Sequence, residues 1–123
     1  LGRLEPEALA PFVAAARALV LPSRSEETFG LAAAEALLAG RPVIAANLGA
    51  LPELVEHEVT GLLVAAGDAE GFGAAAQHVL ADELSAARWG RAGQERLRTS
   101  LDPARHVAAV TALFERVLLS ARR

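Results

Sequence analysis

At 123 residues the chain has room for one domain with a real core, and none for a conventional two-domain enzyme. Its composition, 53% hydrophobic and 22% charged with a net charge of −3, is that of a globular chain and not of a disordered one. The twelve basic residues are all arginine and scattered, which argues against a nucleic-acid partner, and the lack of cysteine excludes disulfides and thiolate metal sites.

Leu1-Gly2-Arg3-Leu4 reads as the end of a strand. Glu5-Pro6-Glu7 leads into a helix, since proline and acids suit a first turn. Pro11 is tolerated only in that turn, so the helix is expected from about Ala8 to Ala16, with Leu9, Phe12 and Val13 at helical spacing. Ala18-Leu19-Val20-Leu21 is a short continuous apolar run, the pattern of a strand buried on both faces of a parallel sheet. A polar loop, residues 23–28, precedes Phe29-Gly30 and a second helix that Gly40 stops near Ala39. Val43-Ile44-Ala45-Ala46 is the second expected strand, residues 51–55 one or two helical turns, and Leu62-Leu63-Val64 the third strand. Asp68 suits the N-cap of a helix to about Ala81, a further helix spans Leu84 to about Arg98, and Asp102-Pro103 opens the last one. There Val107, Val110, Phe114, Val117 and Leu118 make an apolar stripe. The whole reads as α/β: a partial Rossmann-like unit with a parallel sheet of about three strands, then a helical C-terminal tail.

No uninterrupted apolar run approaches the roughly 20 residues of a membrane span and no signal peptide precedes the first segment, so a cytoplasmic setting is expected. His57, His78 and His106 stand in separate stretches without ligand spacing, so surface roles are expected of them and no metal site. Trp89 reads as a packing anchor, and Glu53 as a helix-dipole partner.

The stretch that carries chemistry is Pro22 to Pro42, PSRSEETFGLAAAEALLAGRP. A strand end, a polar loop and a glycine lead into a helix of small residues, whose first amides, at Gly30, Leu31 and Ala32, make a ready phosphate site. It lies beyond the C-terminal end of a parallel strand, where open α/β sheets bind ligands. Glu35 has no basic residue three or four positions away, and its helix is apolar nearly all round, so burial is expected. Such an acid needs a polar partner. It sits about 7 Å along the axis from the helix start, within reach of the ribose of a nucleotide seated on the amides. The alternatives are a solvent-facing Glu35 and a merely solvated loop at Glu26-Glu27.

The run resembles the signature of family 4 glycosyltransferases, retaining enzymes of the GT-B fold that use nucleotide-sugar donors. The matching residues are Pro22-Ser23, Glu27, Phe29-Gly30-Leu31, Glu35, Gly40 and Pro42-Val43, with Gly2, Gly49, Pro52-Glu53, Thr60 to Val64 and Gly67-Asp68 in agreement. The resemblance implies that Glu35 binds the donor ribose and that Glu27, the catalytic candidate, faces the transferred sugar. It implies that the backbone of Gly30, Leu31 and Ala32 holds the diphosphate, with Phe29 beside it, and that Arg3 and Leu4 meet the base. It further implies a front-face reaction in which the leaving phosphate takes the acceptor's proton, with neither enzyme nucleophile nor metal.

By the same resemblance residues 1–123 correspond to the C-terminal part of a nucleotide-sugar-binding domain. The upstream strands, the cationic residues that meet the diphosphate and the acceptor domain have no counterpart here. A glycosyltransferase donor-site fragment is therefore expected, inactive by itself, with its acceptor unknown and peripheral membrane contact of a complete enzyme left open. The competing readings are a non-catalytic nucleotide-binding or interaction module and a nucleotide-sugar epimerase. Because the family's first strand lies beside the one matching Leu19 to Leu21, a bare sheet edge and a homodimer formed through it are also expected.

Overall fold

The computed structural model describes residues 2–121. Leu1, the first residue of the expected strand end, falls outside them; Gly2 to Leu4 form no strand. The elements in chain order are α1 (Pro6–Ala15), β1 (Leu19–Leu21), α2 (Leu31–Leu38), β2 (Val43–Ala46), α3 (Leu51–Leu54), β3 (Gly61–Val64), α4 (Ala69–Ala81), α5 (Glu83–Ser100) and α6 (Pro103–Ala121).

The three strands form one parallel sheet in the order β1-β2-β3. Leu19 pairs with Val43 and Leu21 with Ala45, while Val43 pairs with Gly61 and Ala46 with Val64. Only β2 has a neighbour on both sides, and all four of its residues are buried. The sheet can have such a central strand because VIAA is apolar at every position and needs no solvent face. Helices α2, α4 and α5 pack on this sheet and on one another. Leu37, Ile44, Leu51 and Val55 are among the fully buried side chains, each stabilising by about 1.5–3 kcal/mol.

The join between α2 and α5 is built from small residues. On α5 the buried positions Ala86, Trp89, Gly90, Gly93 and Leu97 recur at helical spacing. A Cβ at Gly90 would overlap the Gly40 carbonyl oxygen, and one at Gly93 would overlap Leu37 Cδ2. Trp89, at 3% exposure, is the packing anchor its sequence context suggests, with its ring stacked on His78 at a centroid distance of 5.7 Å. The far end of α2 is closed by two backbone bonds, Gly40 N–H to Leu37 O and Arg41 N–H to Ala36 O, both 2.9 Å. Gln94 Nε2 reaches across from α5 to donate to Leu38 O at 2.7 Å.

Four expectations need correcting. β1 is an edge strand, not one buried on both faces: Val20 is 43% exposed, because β2 is its one partner among the described residues. α1 begins at Pro6, two residues before the expected start, and ends at Ala15, with Pro11 inside it. Pro11 is exposed, so the bond its missing N–H cannot make leaves the Glu7 carbonyl to water and not to a dry interior. β3 starts one residue early, at Gly61. α5 runs from Glu83 to Ser100, longer at both ends than the pattern suggested.

The apolar stripe on α6 is not covered by any of the described residues. None of its residues is buried, and Val107, Phe114, Val117 and Leu118 are each more than half exposed. No helix among the described residues is long and apolar enough to cross a membrane.

Candidate nucleotide site

The site grows from the way α2 begins. Gly30, its N-cap residue, sits at φ +84, the left-handed region that a side chain disfavours. A Cβ there would also come within 2.8 Å of Leu51 Cδ2. Glycine therefore lets the chain turn from the loop into the helix while lying flat against α3. The first intrahelical bond runs from Ala34 N–H to Gly30 O at 3.1 Å, so the amides of Leu31, Ala32 and Ala33 have no acceptor inside the helix. No side chain caps them, and the first turn carries no acid.

Helices α1 and α3 likewise have no capping side chain, whereas the three C-terminal helices do. Asp68 accepts Gly71 N–H at 2.9 Å, Asp82 accepts Ser85 N–H at 3.0 Å and Asp102 accepts Ala104 N–H at 3.0 Å. Those aspartates satisfy amides at the starts of α4, α5 and α6. The Ser85 backbone bond is also the main reason the Asp82 carboxyl titrates below its ordinary value, with the Ser85 hydroxyl helping.

The loop before α2 is held in place. Ser23 Oγ donates to Glu27 Oε1 at 2.7 Å, and Ala50 N–H donates to Glu27 O at 3.0 Å. Gly49 lies so close that a Cβ on it would come within 2.8 Å of both Glu27 N and Glu27 O. Glu27 is half-buried, gripped by the turn that follows β2 and oriented by Ser23. The roles of Ser23, Gly49 and Ala50 were not visible beforehand. The first two match family positions, but nothing in their spacing says that they hold Glu27.

Two concavities border α2, one at its start and one along its later turns. One, of about 400 Å³, is lined by Glu26, Glu27, Thr28, Phe29, Gly30, Leu31 and Ala32. It gathers the catalytic candidate with the proposed phosphate amides. The other, of about 320 Å³, lies between α1 and α2, where Glu35 and Ala39 face Leu4, Pro6, Leu9, Ala10 and Val13. Leu4 and Glu35, expected at the base and the ribose, thus share one hollow. Arg3 is exposed and lines neither.

Glu35 is exposed, contrary to the burial expected for it. The buried face of α2 is Ala33, Ala34, Ala36 and Leu37, whereas Leu31, Ala32, Glu35 and Leu38 point away from the core. Leu31 is 68% exposed. The helix is apolar on both sides, but only one side is covered by described residues, so Glu35 meets water and needs no buried partner.

The histidines are surface residues, as anticipated. His57 also takes Leu63 N–H on its Nδ1 at 3.0 Å, bracing the second half of β3. No three His, Asp or Glu side chains among the described residues cluster as metal ligands would.

The family model "Glycosyl transferases group 1" matches residues 1–96. Among curated proteins, glycogen synthase of Mycobacterium tuberculosis is 40% identical over 122 residues, which is 99% of this chain and 28% of the synthase. Among solved structures, sucrose-phosphate synthase from Thermosynechococcus elongatus is similar over 98% of this chain and 30% of its own, with 39% identity and a TM-score of 0.82. HepE of Anabaena, solved in complex with UDP-glucose, is similar over 89% of this chain and 29% of its own, with 28% identity and a TM-score of 0.74. The chain thus spans less than a third of each of these relatives. The agreement of the sequence signature, the sheet with its helices and these relatives places the chain in the glycosyl transferases group 1 family, the GT-B-type enzymes its motif resembles.

Proposed function

We propose that this chain supplies the donor site of a retaining glycosyltransferase and corresponds to the C-terminal part of the nucleotide-sugar-binding domain. The observation that carries the reading is the uncapped start of α2, open to a concavity that Glu27 also lines. The diphosphate of the donor sits on the amides of Gly30, Leu31 and Ala32, where the helix dipole favours negative charge. Phe29 walls that seat. The ribose hydroxyls bond to Glu35, and the base lies over the hollow that contains Leu4, within reach of Arg3, its neighbour in the chain. Exposed to water when empty, Glu35 is free to accept those hydrogen bonds.

Glu27 faces the transferred sugar. Its Ser23 hydrogen bond occupies one carboxylate oxygen and leaves the other for a sugar hydroxyl. As the bond from sugar to diphosphate breaks, charge grows on the departing phosphate, and the preorganised amides stabilise it there. The same phosphate takes the acceptor's proton on the face from which it leaves, so the configuration is retained without an enzyme nucleophile. This chemistry calls on no metal: helix amides carry the charge. The acceptor comes from outside this chain, the setting is cytoplasmic, and peripheral membrane contact by a complete enzyme is compatible with it.

A titration with UDP, followed by amide chemical shifts, tests the site. The expected result is weak, millimolar-range binding that moves Gly30 to Ala32 most. Still amides there, with another region responding, overturn the assignment. Transfer of labelled sugar after the chain is joined to an acceptor-binding half separates an enzyme from a nucleotide-binding module.

The free edge of β1 supports a second, smaller proposal. Its unpaired backbone groups and the exposed Val20 favour self-association into a homodimer. Sedimentation equilibrium at micromolar concentration decides it, and a compact monomer rejects it.

A further inference from the structure

A third concavity, of about 470 Å³, opens beyond the C-terminal ends of β1 and β3 and is lined by Pro22, Arg24, Gly67, Ala69 and Phe72. It shares no lining residue with the hollow at the start of α2. The two are nevertheless joined through one side chain. Ser23 stands between Pro22 and Arg24 and donates to Glu27, which lines the other hollow. Ser23 thus ties the loop that lines this second space to the glutamate that lines the proposed diphosphate seat.

The chemistry of the second space is uneven. Pro22, Ala69 and Phe72 give an apolar wall, Gly67 presents backbone with open space on its Cβ side, and Arg24 is its one charged lining residue. Arg24 is exposed and makes no ion pair among the described residues, where the pairs are Arg17 with Glu83 and Arg96 with Glu56. The acid beside Gly67 does not neutralise it by design: Asp68 is turned into its own helix and holds Gly71 N–H. A guanidinium left with its donors free, over an apolar wall, fits an anion carried on a ring.

We propose that this concavity is a second sugar subsite, taking an anionic sugar, and that Arg24 is the residue that selects for the charge. The proposal deepens the donor-site reading and rests on it for the position of the transferred sugar at Glu27. The anion belongs either to a phosphorylated acceptor or to an acidic donor sugar, both of which carry a negative group on a sugar ring.

Amide-shift titrations of the chain distinguish these cases. Glucose 6-phosphate added to the UDP-saturated chain is expected to move the amides of Arg24 and Gly67 while Gly30 to Ala32 keep their UDP-bound positions. Neutral glucose is expected to leave them in place. Arg24→Gln, a change at an exposed position, is expected to weaken the sugar phosphate about tenfold and leave UDP binding as it was. If UDP-glucuronate moves Arg24 and Gly67 where UDP-glucose does not, and glucose 6-phosphate no longer does so, the anion is the donor's own. Displacement of UDP by glucose 6-phosphate, equal shifts with glucose, or no response at Arg24 and Gly67 to either anionic probe overturns the subsite. Failure of UDP itself to move Gly30 to Ala32 would instead remove the donor-site reading, so the two failures are distinct.

Discussion

The two ends of α2 are built on opposite principles. At its C-terminus the orphan carbonyls of Ala36, Leu37 and Leu38 all find donors, from Arg41, Gly40 and the side chain of Gln94. Gly90 of α5 is pressed against the turn. At its N-terminus the amides of Leu31, Ala32 and Ala33 have no capping side chain, and Gly30, Leu31 and Ala32 line an open hollow. One end is finished by the fold, and the other is left for something outside it. The contrast teaches that satisfied groups mark where a helix is anchored, and unsatisfied ones where it works. It also predicts that substitutions at the two ends separate stability from binding.

The largest effect is expected at the anchored end. Gly90→Ala places a methyl group into the Gly40 carbonyl, which is backbone and cannot swing aside, so α5 must shift away from α2. A loss of about 3 kcal/mol in urea-unfolding stability is expected from such overpacking. An unchanged midpoint would show that the join between α2 and α5 is looser than described.

The next effect belongs to the working end and leaves stability alone. Glu35→Gln is expected to weaken UDP binding by about 1–3 kcal/mol in calorimetry, the range for hydrogen bonds to a charged group. Because Glu35 is exposed, unfolding stability should change by less than about 0.5 kcal/mol. Glu27→Gln, which keeps an oxygen for Ser23, should depress turnover of the joined enzyme more than donor affinity. Equal and negligible effects of both changes would return these carboxylates to a solvated surface.

Gln94→Ala sharpens the comparison from the anchored side. It deletes the donor to Leu38 O and should cost about 1 kcal/mol of stability, with UDP affinity unchanged. The smallest effect is one of pH, at a capped helix that contrasts with α2. Folding lowers the Asp82 carboxyl below its ordinary value through Ser85, so the charged cap stabilises the fold at neutral pH. That contribution is lost as pH falls through the depressed value, in the acid range below the ordinary carboxylate titration. The stability difference between the native chain and Asp82→Ala should therefore shrink on acidification and not on raising pH.

How much of this was legible depends on whether a residue's surroundings lie near it in the chain. Gly40 after LAAAEALLA, Asp68 before its helix and the apolar runs of the three strands carry local signals, and each element stands within a residue or two of its expected place. The uncapped start of α2 was legible for the same reason, because Gly30 and the amides that follow it are contiguous. Burial was the part that failed. An apolar helix and an apolar strand look alike whether one face or two are covered, so Glu35 was expected inside and β1 sandwiched, and both meet solvent. The grip on Glu27 was hidden too, since Gly49 and Ala50 reach it from the far side of β2.

The strand order β1-β2-β3 has a consequence for how the chain comes to be folded. Among the described residues each strand pairs with its neighbour in chain order, so each of these pairings closes a modest loop. The seat at Gly30 lies between the first two strands, with its backing from Leu51 and Leu54 arriving directly after the second. The proposed donor seat is therefore built within one short stretch of chain, and none of its lining or backing residues lies in α4, α5 or α6.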